Sequence, residues 1–117
     1  MKYMIYCFDL DGTICENKKS GQSYEDVLPL PGAVETLKRL KTQGHYIIIL
    51  TARNMVTHNN SIGKIIAKQS PIVLDWLKKY EIPYDELHFG KPHADYFIDD
   101  KGIQFTTWDD LNKNIFK

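Results

Sequence analysis

The sequence predicts an α/β domain in which a largely parallel β-sheet is flanked by helices. Short apolar runs alternate with segments of helical periodicity along the whole chain, which is the pattern of parallel sheets with helical crossovers. Residues 3–9 and 46–50 are the strongest runs and are apolar on both faces, as buried parallel strands are. A length of 117 residues suits one domain, so we expect residues 1–117 to form a single unit.

The segment between these two strands divides into a loop and a helix. Residues 14–31 are polar and contain one glycine and two prolines, which predicts a loop or a small hairpin. The dipeptide Pro31-Gly32 then opens a helix, and Gly44 is placed to end it in a left-handed conformation. The apolar residues of this helix recur at helical spacing: Ala33, Val34, Leu37 and Leu40.

The second half of the chain predicts two helices and two short strands. Residues 54–70 are polar and carry no clear pattern, whereas residues 72–80 have one apolar face and predict a helix. Short strands are expected at 86–89 and 96–99, each followed by a polar turn. The last helix should begin at the capping-box sequence that starts at Thr107 and run to about residue 114.

Composition excludes several classes of function. Lysine plus arginine equals aspartate plus glutamate, 15 against 15, so we expect no nucleic-acid partner and no anionic membrane partner. The apolar runs are too short to span a bilayer, and the start of the chain has no signal-peptide pattern. The spacing of Cys7 and Cys15 matches no zinc or redox motif, which predicts reduced thiols and a cytoplasmic protein.

Polar residues follow the end of each predicted strand. They are the segment 9–13, Thr51, Lys91, and the pair Asp99-Asp100. Ligands bind at the carboxyl ends of the strands in open parallel sheets. Four segments that are distant in the sequence are therefore expected to converge on one small volume.

The first of these segments has the chemistry for covalent catalysis. Asp9 and Asp11 would both face the site if the strand ends between them, so one could attack phosphorus while the other acts as acid and base. Gly12 permits a sharp turn, and the backbone amides there could face phosphate oxygens.

The other three segments complete a phosphate site and a metal site. The hydroxyl of Thr51 and the ammonium of Lys91 would bind the equatorial phosphate oxygens. Asp99 and Asp100 would join Asp9 in an all-oxygen site suited to Mg²⁺. The ion would also reduce the repulsion between the attacking carboxylate and the phosphate.

These segments resemble the four motifs of the haloacid dehalogenase superfamily, in the right order. Asp9-Leu10-Asp11-Gly12-Thr13 is similar to the first motif, Thr51 to the second, Gly90-Lys91-Pro92 to the third, and Ile98-Asp99-Asp100 to the fourth. The resemblance covers nearly the whole chain and implies a three-layer Rossmann-like fold.

The resemblance also implies a role for each residue. Asp9 would be the nucleophile, and Asp11 the general acid/base that lends its backbone carbonyl to the metal. Thr51 and Lys91 would bind phosphate. Asp99 would ligate Mg²⁺ with Asp100 close behind it. An acid at position 11 favours phosphomonoester hydrolysis, because dehalogenases lack it and P-type ATPases carry threonine there.

Neither the interval between the first and second motifs nor the interval between the second and third has room for a folded cap domain. We therefore expect an open site, unless residues 14–28 or a homo-oligomer cover it. The strings at 51–55 and 84–92 are similar to the small capsule-biosynthesis phosphatases of bacteria, which implies a small phosphorylated metabolite as substrate. The candidates for substrate binding lie in or beside the first two motifs: Gly12, Ala52, Arg53, Asn54 and His58. For Arg53, which follows a strand end, pairing with a carboxylate is the alternative.

Each motif taken alone has a purely structural explanation, since aspartate and glycine are common in turns and Lys91 could be a surface lysine.

Taken together, the motifs leave two other interpretations open. A phosphate-responsive receiver domain uses similar residues, but its phosphorylated aspartate follows a middle strand, where this chain has Thr51. A scaffold of the same fold without turnover is the second alternative, and a magnesium-dependent phosphatase assay would separate it from an enzyme.

Overall fold

A computed structural model describes residues 3–117 and shows a parallel sheet with three α-helices. The strands are in the order β1-β2-β3, and Asp9 is paired with Leu50 and Thr51 with Phe89. The α/β, Rossmann-like class is confirmed, and no element within residues 3–117 forms a cap domain. The elements are β1 (Ile5–Asp9), a 3₁₀ turn (Tyr24–Asp26), α1 (Ala33–Thr42), β2 (Tyr46–Thr51), α2 (Ile62–Lys79), β3 (Glu86–Phe89) and α3 (Trp108–Asn114).

One face of the sheet carries the core. Phe8, Ile47 and Ile49 are buried and point to this face by the alternation of side chains along a strand. Each α-helix contributes to the same cluster, which includes Leu37, Leu40, Val73, Trp76, Leu77, Trp108 and Leu111. Both tryptophans, Trp76 and Trp108, are buried in this core. Within residues 3–117, the helices pack on this one face of the sheet, so the structure describes the sheet and one of the two helical layers of a three-layer fold.

The predicted start and end of α1 are confirmed. Gly32 precedes the helix with a φ of 85°, and Gly44 follows it with a φ of 92°, conformations that glycine adopts without steric cost. A Cβ added at Gly32 would lie 3.1 Å from Cβ of Trp108. Glycine therefore also allows α3 to approach the start of α1.

The helix predicted at 72–80 begins ten residues earlier, at Ile62. Buried residues at positions 65, 69, 73 and 76 continue one face of the helix through the stretch that had no assigned pattern. Pro71 lies inside the helix, where it removes a backbone donor and normally breaks the helix. The packing of this face overrides the local preference of proline.

The strand predicted at 96–99 is wrong, because these residues have no regular secondary structure. Tyr96 and Ile98 are exposed at 84% and 95%. A parallel strand normally needs a crossover of about a dozen residues or more, and only residues 90–95 follow β3 before this segment. β1 therefore lies at the sheet edge, where Ile5 and Cys7 are exposed.

None of the helices within residues 3–117 is long and apolar enough to cross a membrane.

Candidate active site

The carboxylate of Asp9 lies at the end of β1 beside the amine of Lys91. Oδ2 is 3.5 Å from Lys91 Nζ, and Oδ1 accepts a hydrogen bond from the backbone N–H of Leu10 at 2.9 Å. The backbone N–H groups of Gly90 and Lys91 both donate to the carbonyl of Thr51 at 3.1 Å. The end of β3 is thereby tied to the end of β2, which holds Lys91 over the first strand.

Burial and charge act in opposite directions on Asp9. Desolvation raises the pKa of its carboxyl, whereas the nearby charge of Lys91 and the hydrogen bond from Leu10 lower it. The net direction is upward. Lys91 therefore provides the main favourable charge beside the ionised carboxylate of Asp9.

A tight turn after β1 brings Asp11 into the same pocket as Asp9. Gly12 has a φ of 84°, and its N–H donates to the carbonyl of Cys15 at 2.7 Å. The N–H of Ile14 donates to the carbonyl of Leu10 at 2.9 Å. The turn thus reverses the chain within a few residues, as the sequence predicts for this segment.

Asp11 is held by a buried arginine. Arg53 Nε and Nη2 donate to its two carboxylate oxygens at 3.1 and 2.7 Å, and the Arg53 side chain is only 2% exposed. The Cys15 thiol contacts Asp11 Oδ1 at 3.4 Å. The ring centre of Tyr24 lies 4.1 Å from Arg53 Cζ.

Thr51 lies at the predicted strand end but is buried, with an exposed fraction of 1%. Its hydroxyl oxygen accepts a hydrogen bond from the backbone N–H of Arg53 at 3.0 Å. The structure thus gives this hydroxyl a role in shaping the turn after β2. Its predicted contact with phosphate stays a prediction.

Asp9 and Asp11 line a pocket of about 380 Å³. One wall comes from residues 52–57 and includes the predicted Ala52, Arg53 and Asn54. The predicted His58 is not among the lining residues, and its Nε2 atom is buried without a hydrogen-bond partner in the described part of the chain.

Another part of the pocket lining comes from residues 14–28, the loop named as a possible cover for an otherwise open site. It contributes Asn17, Lys18 and Tyr24 to the pocket. Sequence reasoning marked the loop as a whole but none of these residues. The only available signal was a tyrosine in a loop rich in polar residues, which is too common to identify a site.

The described residues do not form a complete magnesium site. Asp99 and Asp100 are exposed, and Asp99 Oδ1 accepts hydrogen bonds from the backbone of Lys101 and Gly102. Within residues 3–117, no three histidine, cysteine, aspartate or glutamate side chains are close enough to hold a metal. The predicted convergence of Asp99 and Asp100 with Asp9 depended on the fourth strand, which does not form.

Known proteins resemble the chain in both sequence and structure. The model of the haloacid dehalogenase-like hydrolase family matches residues 6–74. A crystal structure of a protein from Vibrio cholerae is 35% identical, with a TM-score of 0.80, and the match covers 92% of this chain and 86% of that one. No curated protein matches significantly.

Two larger structures share the fold. A chain of the Pnkp1/Rnl/Hen1 RNA repair complex is 27% identical with a TM-score of 0.51, and the match covers 81% of this chain but 27% of that one. A second structure of the Pnkp1/Rnl/Hen1 complex is 23% identical with a TM-score of 0.52, covering 98% and 34% of the two chains, and supports the fold alone.

Proposed function

The chain belongs to the haloacid dehalogenase-like hydrolases, and we propose that it is a magnesium-dependent phosphomonoester hydrolase acting through an aspartyl phosphate on Asp9. One observation carries the proposal. Asp9 and Asp11 line the same pocket, and each carboxylate has its own cation, Lys91 for the first and Arg53 for the second. Two carboxylates in separate environments can divide the nucleophilic and the acid/base tasks.

In the first step an oxygen of Asp9 attacks phosphorus and the bond to the ester oxygen breaks. The departing oxygen takes a proton from Asp11. In the second step Asp11 takes a proton from water, and that water attacks the aspartyl phosphate, releasing phosphate and restoring the Asp9 carboxylate. Lys91 lies beside Asp9 and would balance the charge that gathers on the phosphoryl oxygens.

Magnesium belongs to the proposal because hydrolases of this family typically use it. The ion would neutralise charge between the carboxylate and the phosphate. Asp9, the backbone carbonyl of Asp11, Asp99 and Asp100 are the proposed ligands. This requires residues 96–100 to move toward Asp9. Phe97 already lies against Lys91, with its ring centre 4.5 Å from Nζ.

We propose a small phosphorylated metabolite as substrate, in line with the resemblance to capsule-biosynthesis phosphatases. The pocket volume of about 380 Å³ suits a small molecule, and a homo-oligomer could narrow the opening further. One similar chain comes from an RNA repair complex, but this chain covers only 27% of it. We therefore do not extend a role in RNA repair to this chain. The zero net charge gives no basis for binding a nucleic acid or a membrane.

The rival interpretation is a non-catalytic domain of the same fold, either a scaffold or a phosphate-responsive module. A panel of sugar, triose, amino-alcohol and nucleoside monophosphates, with a 3′-phosphorylated oligonucleotide, would separate these functions. We expect magnesium-dependent release of phosphate from several small esters and background release from Asp9→Asn. Hydrolysis of none of them by the wild-type protein would contradict the proposal. Strong preference for the oligonucleotide would show that the substrate is a phosphorylated nucleic-acid end rather than a small metabolite.

A further inference from the structure

Arg53 occupies a place in the sequence that suggested substrate binding, but its side chain is committed to Asp11. Two of its nitrogen atoms donate to the two oxygens of one carboxylate, at 3.1 and 2.7 Å. This bidentate pairing fixes both the distance and the plane of the carboxylate. Because the Arg53 side chain is only 2% exposed, little of it is left for a substrate to contact.

The arginine is itself held from two other directions. The aromatic ring of Tyr24 lies 4.1 Å from its Cζ atom, in the geometry of a cation–π contact. The backbone N–H of Arg53 donates to Thr51 Oγ1 at 3.0 Å. The end of β2 fixes its backbone, and the 3₁₀ turn Tyr24–Asp26 supports its head group.

We infer that Arg53 is a positioning residue that acts through Asp11, and that Tyr24 steadies it from the loop at residues 14–28. The inference rests on the proposed phosphatase function. Tyr24 also lines the pocket. The loop that forms part of the proposed substrate site therefore supports, through Arg53, the carboxylate that is proposed to transfer protons. This contact therefore couples the lining of the pocket to the proposed chemistry.

The role has a consequence that can be measured. A misplacement of about 1 Å in a reacting group can cost about 100-fold in rate. If Arg53 acts only by placing Asp11, its loss should resemble the loss of Asp11. The defect should be large for an alkyl phosphate, whose leaving group needs a proton, and smaller for an aryl phosphate.

A double-mutant cycle tests this directly. The variants are Arg53→Met, Asp11→Asn and the double variant, each assayed with p-nitrophenyl phosphate and with glycerol phosphate. We expect Arg53→Met to lower kcat/KM for glycerol phosphate by about 100-fold. In the Asp11→Asn background the same change should cost less than about threefold, because residues that act as a unit are not additive. Equal losses in both backgrounds would overturn the inference.

Inhibition by inorganic phosphate separates positioning from direct binding. A positioning role leaves the inhibition constant of Arg53→Met within about threefold of wild type, whereas a phosphate ligand would raise it in step with the loss of kcat/KM. Arg53→Lys keeps the charge but loses the planar fork. We expect it to stay impaired, and full recovery would contradict the bidentate mechanism.

Tyr24 provides a test that leaves the ion pair in place. Tyr24→Ala removes the ring, and Tyr24→Phe keeps it, so the alanine variant should show the larger loss with glycerol phosphate. Equal losses in the two variants would remove Tyr24 from the positioning role. An inactive wild-type protein, or an Asp9→Asn variant as active as wild type, would refute the proposed function instead, so the two failures are distinguishable.

Discussion

Lys91 Nζ lies 3.5 Å from Asp9 Oδ2 and joins the end of β3 to the end of β1 across the sheet. The backbone of Lys91 is held separately, because its N–H donates a hydrogen bond to the carbonyl of Thr51. The amine is therefore placed by the sheet as well as by the carboxylate. An ammonium held in this way can act on a phosphoryl group that enters beside Asp9.

Lys91→Met should lower kcat/KM for all phosphomonoesters by about 100-fold or more, since it removes a cation aimed at the charge of the transition state. Steady-state kinetics with an aryl and an alkyl phosphate measure the loss, which should be similar for both. Lys64→Met, at an exposed position of α2, is the matched control. A loss below about threefold for Lys91→Met would remove this lysine from the phosphate site.

Chelation should abolish activity if magnesium has the proposed role. We expect EDTA to reduce turnover to background, Mg²⁺ to restore it, and Ca²⁺ to inhibit because its larger and looser shell displaces Asp9. Asp99→Asn should raise the Mg²⁺ concentration needed for half-maximal activity. Asp109→Asn, at an exposed position of α3, serves as its control. Full activity after exhaustive chelation would contradict the metal role.

Asp85 links pH to stability outside the site. Lys41 and the backbone N–H of Ile47 both bond to its carboxylate, and these contacts lower its pKa. A carboxyl group whose pKa is lower in the folded state stabilises the fold above its unfolded pKa of about 3.9. That contribution is lost as the pH falls through the folded pKa.

Asp85→Asn should therefore reduce the free energy of unfolding by about 1 kcal/mol at pH 7, since exposed ion pairs are screened. Urea titrations at intervals from pH 7 to pH 2 measure the gap from wild type. The gap should shrink as Asp85 becomes protonated in the wild-type protein. Asp75→Asn, at an exposed position of α2, should show no such gap, and a difference that grows toward pH 2 would contradict this assignment.

The open pocket predicts modest specificity. Several small phosphomonoesters should be hydrolysed with comparable kcat/KM, because one part of the pocket lining is a loop and no cap domain within residues 3–117 closes the site. A panel of metabolites assayed under identical conditions provides the measurement. A preference of many thousand-fold for one compound would show that residues 14–28 or a second copy of the chain enclose the substrate.

The parts of the fold set by local patterns were predictable from the sequence. The apolar runs of β1 and β2 and the glycines around α1 each have a direct physical signal, and the structure confirms them. The first half of α2 was missed because residues 54–70 are polar and show no clear period, although Ile65 and Gln69 prove to lie on its buried face. The strand at 96–99 was predicted from its apolar residues alone, without regard to the short connection that precedes it.

The site shows the same division. The proximity of Asp9, Asp11 and Lys91 followed from their places at strand ends, since the carboxyl edge of a parallel sheet gathers such residues. Which carboxylate would pair with Arg53 could not be predicted, because the pairing depends on how two turns after different strands face each other. Tyr24 was not predictable either, since its approach to Arg53 is a contact between residues far apart in the chain.

The tasks of Asp9 and Asp11 can be separated with one variant and two substrates. An aryl phosphate has a good leaving group and hardly needs the proton that Asp11 would supply in the first step. Asp11→Asn should therefore slow alkyl phosphates by about 10²–10⁴-fold in that step and spare aryl phosphates more. The second step lacks its base for both substrates, so the phosphoenzyme should accumulate.

Rapid-quench kinetics of Asp11→Asn with p-nitrophenyl phosphate should show a burst of p-nitrophenol followed by slow turnover. Mass spectrometry of the trapped protein should then place the added phosphoryl group on Asp9. Asp9→Asn is the control, since it keeps a similar shape without the attacking oxyanion and should give no burst. Phosphate on another residue would overturn the assignment of the nucleophile. An absent burst together with no phosphoryl group trapped on the protein, while hydrolysis continues, would instead favour direct attack by water.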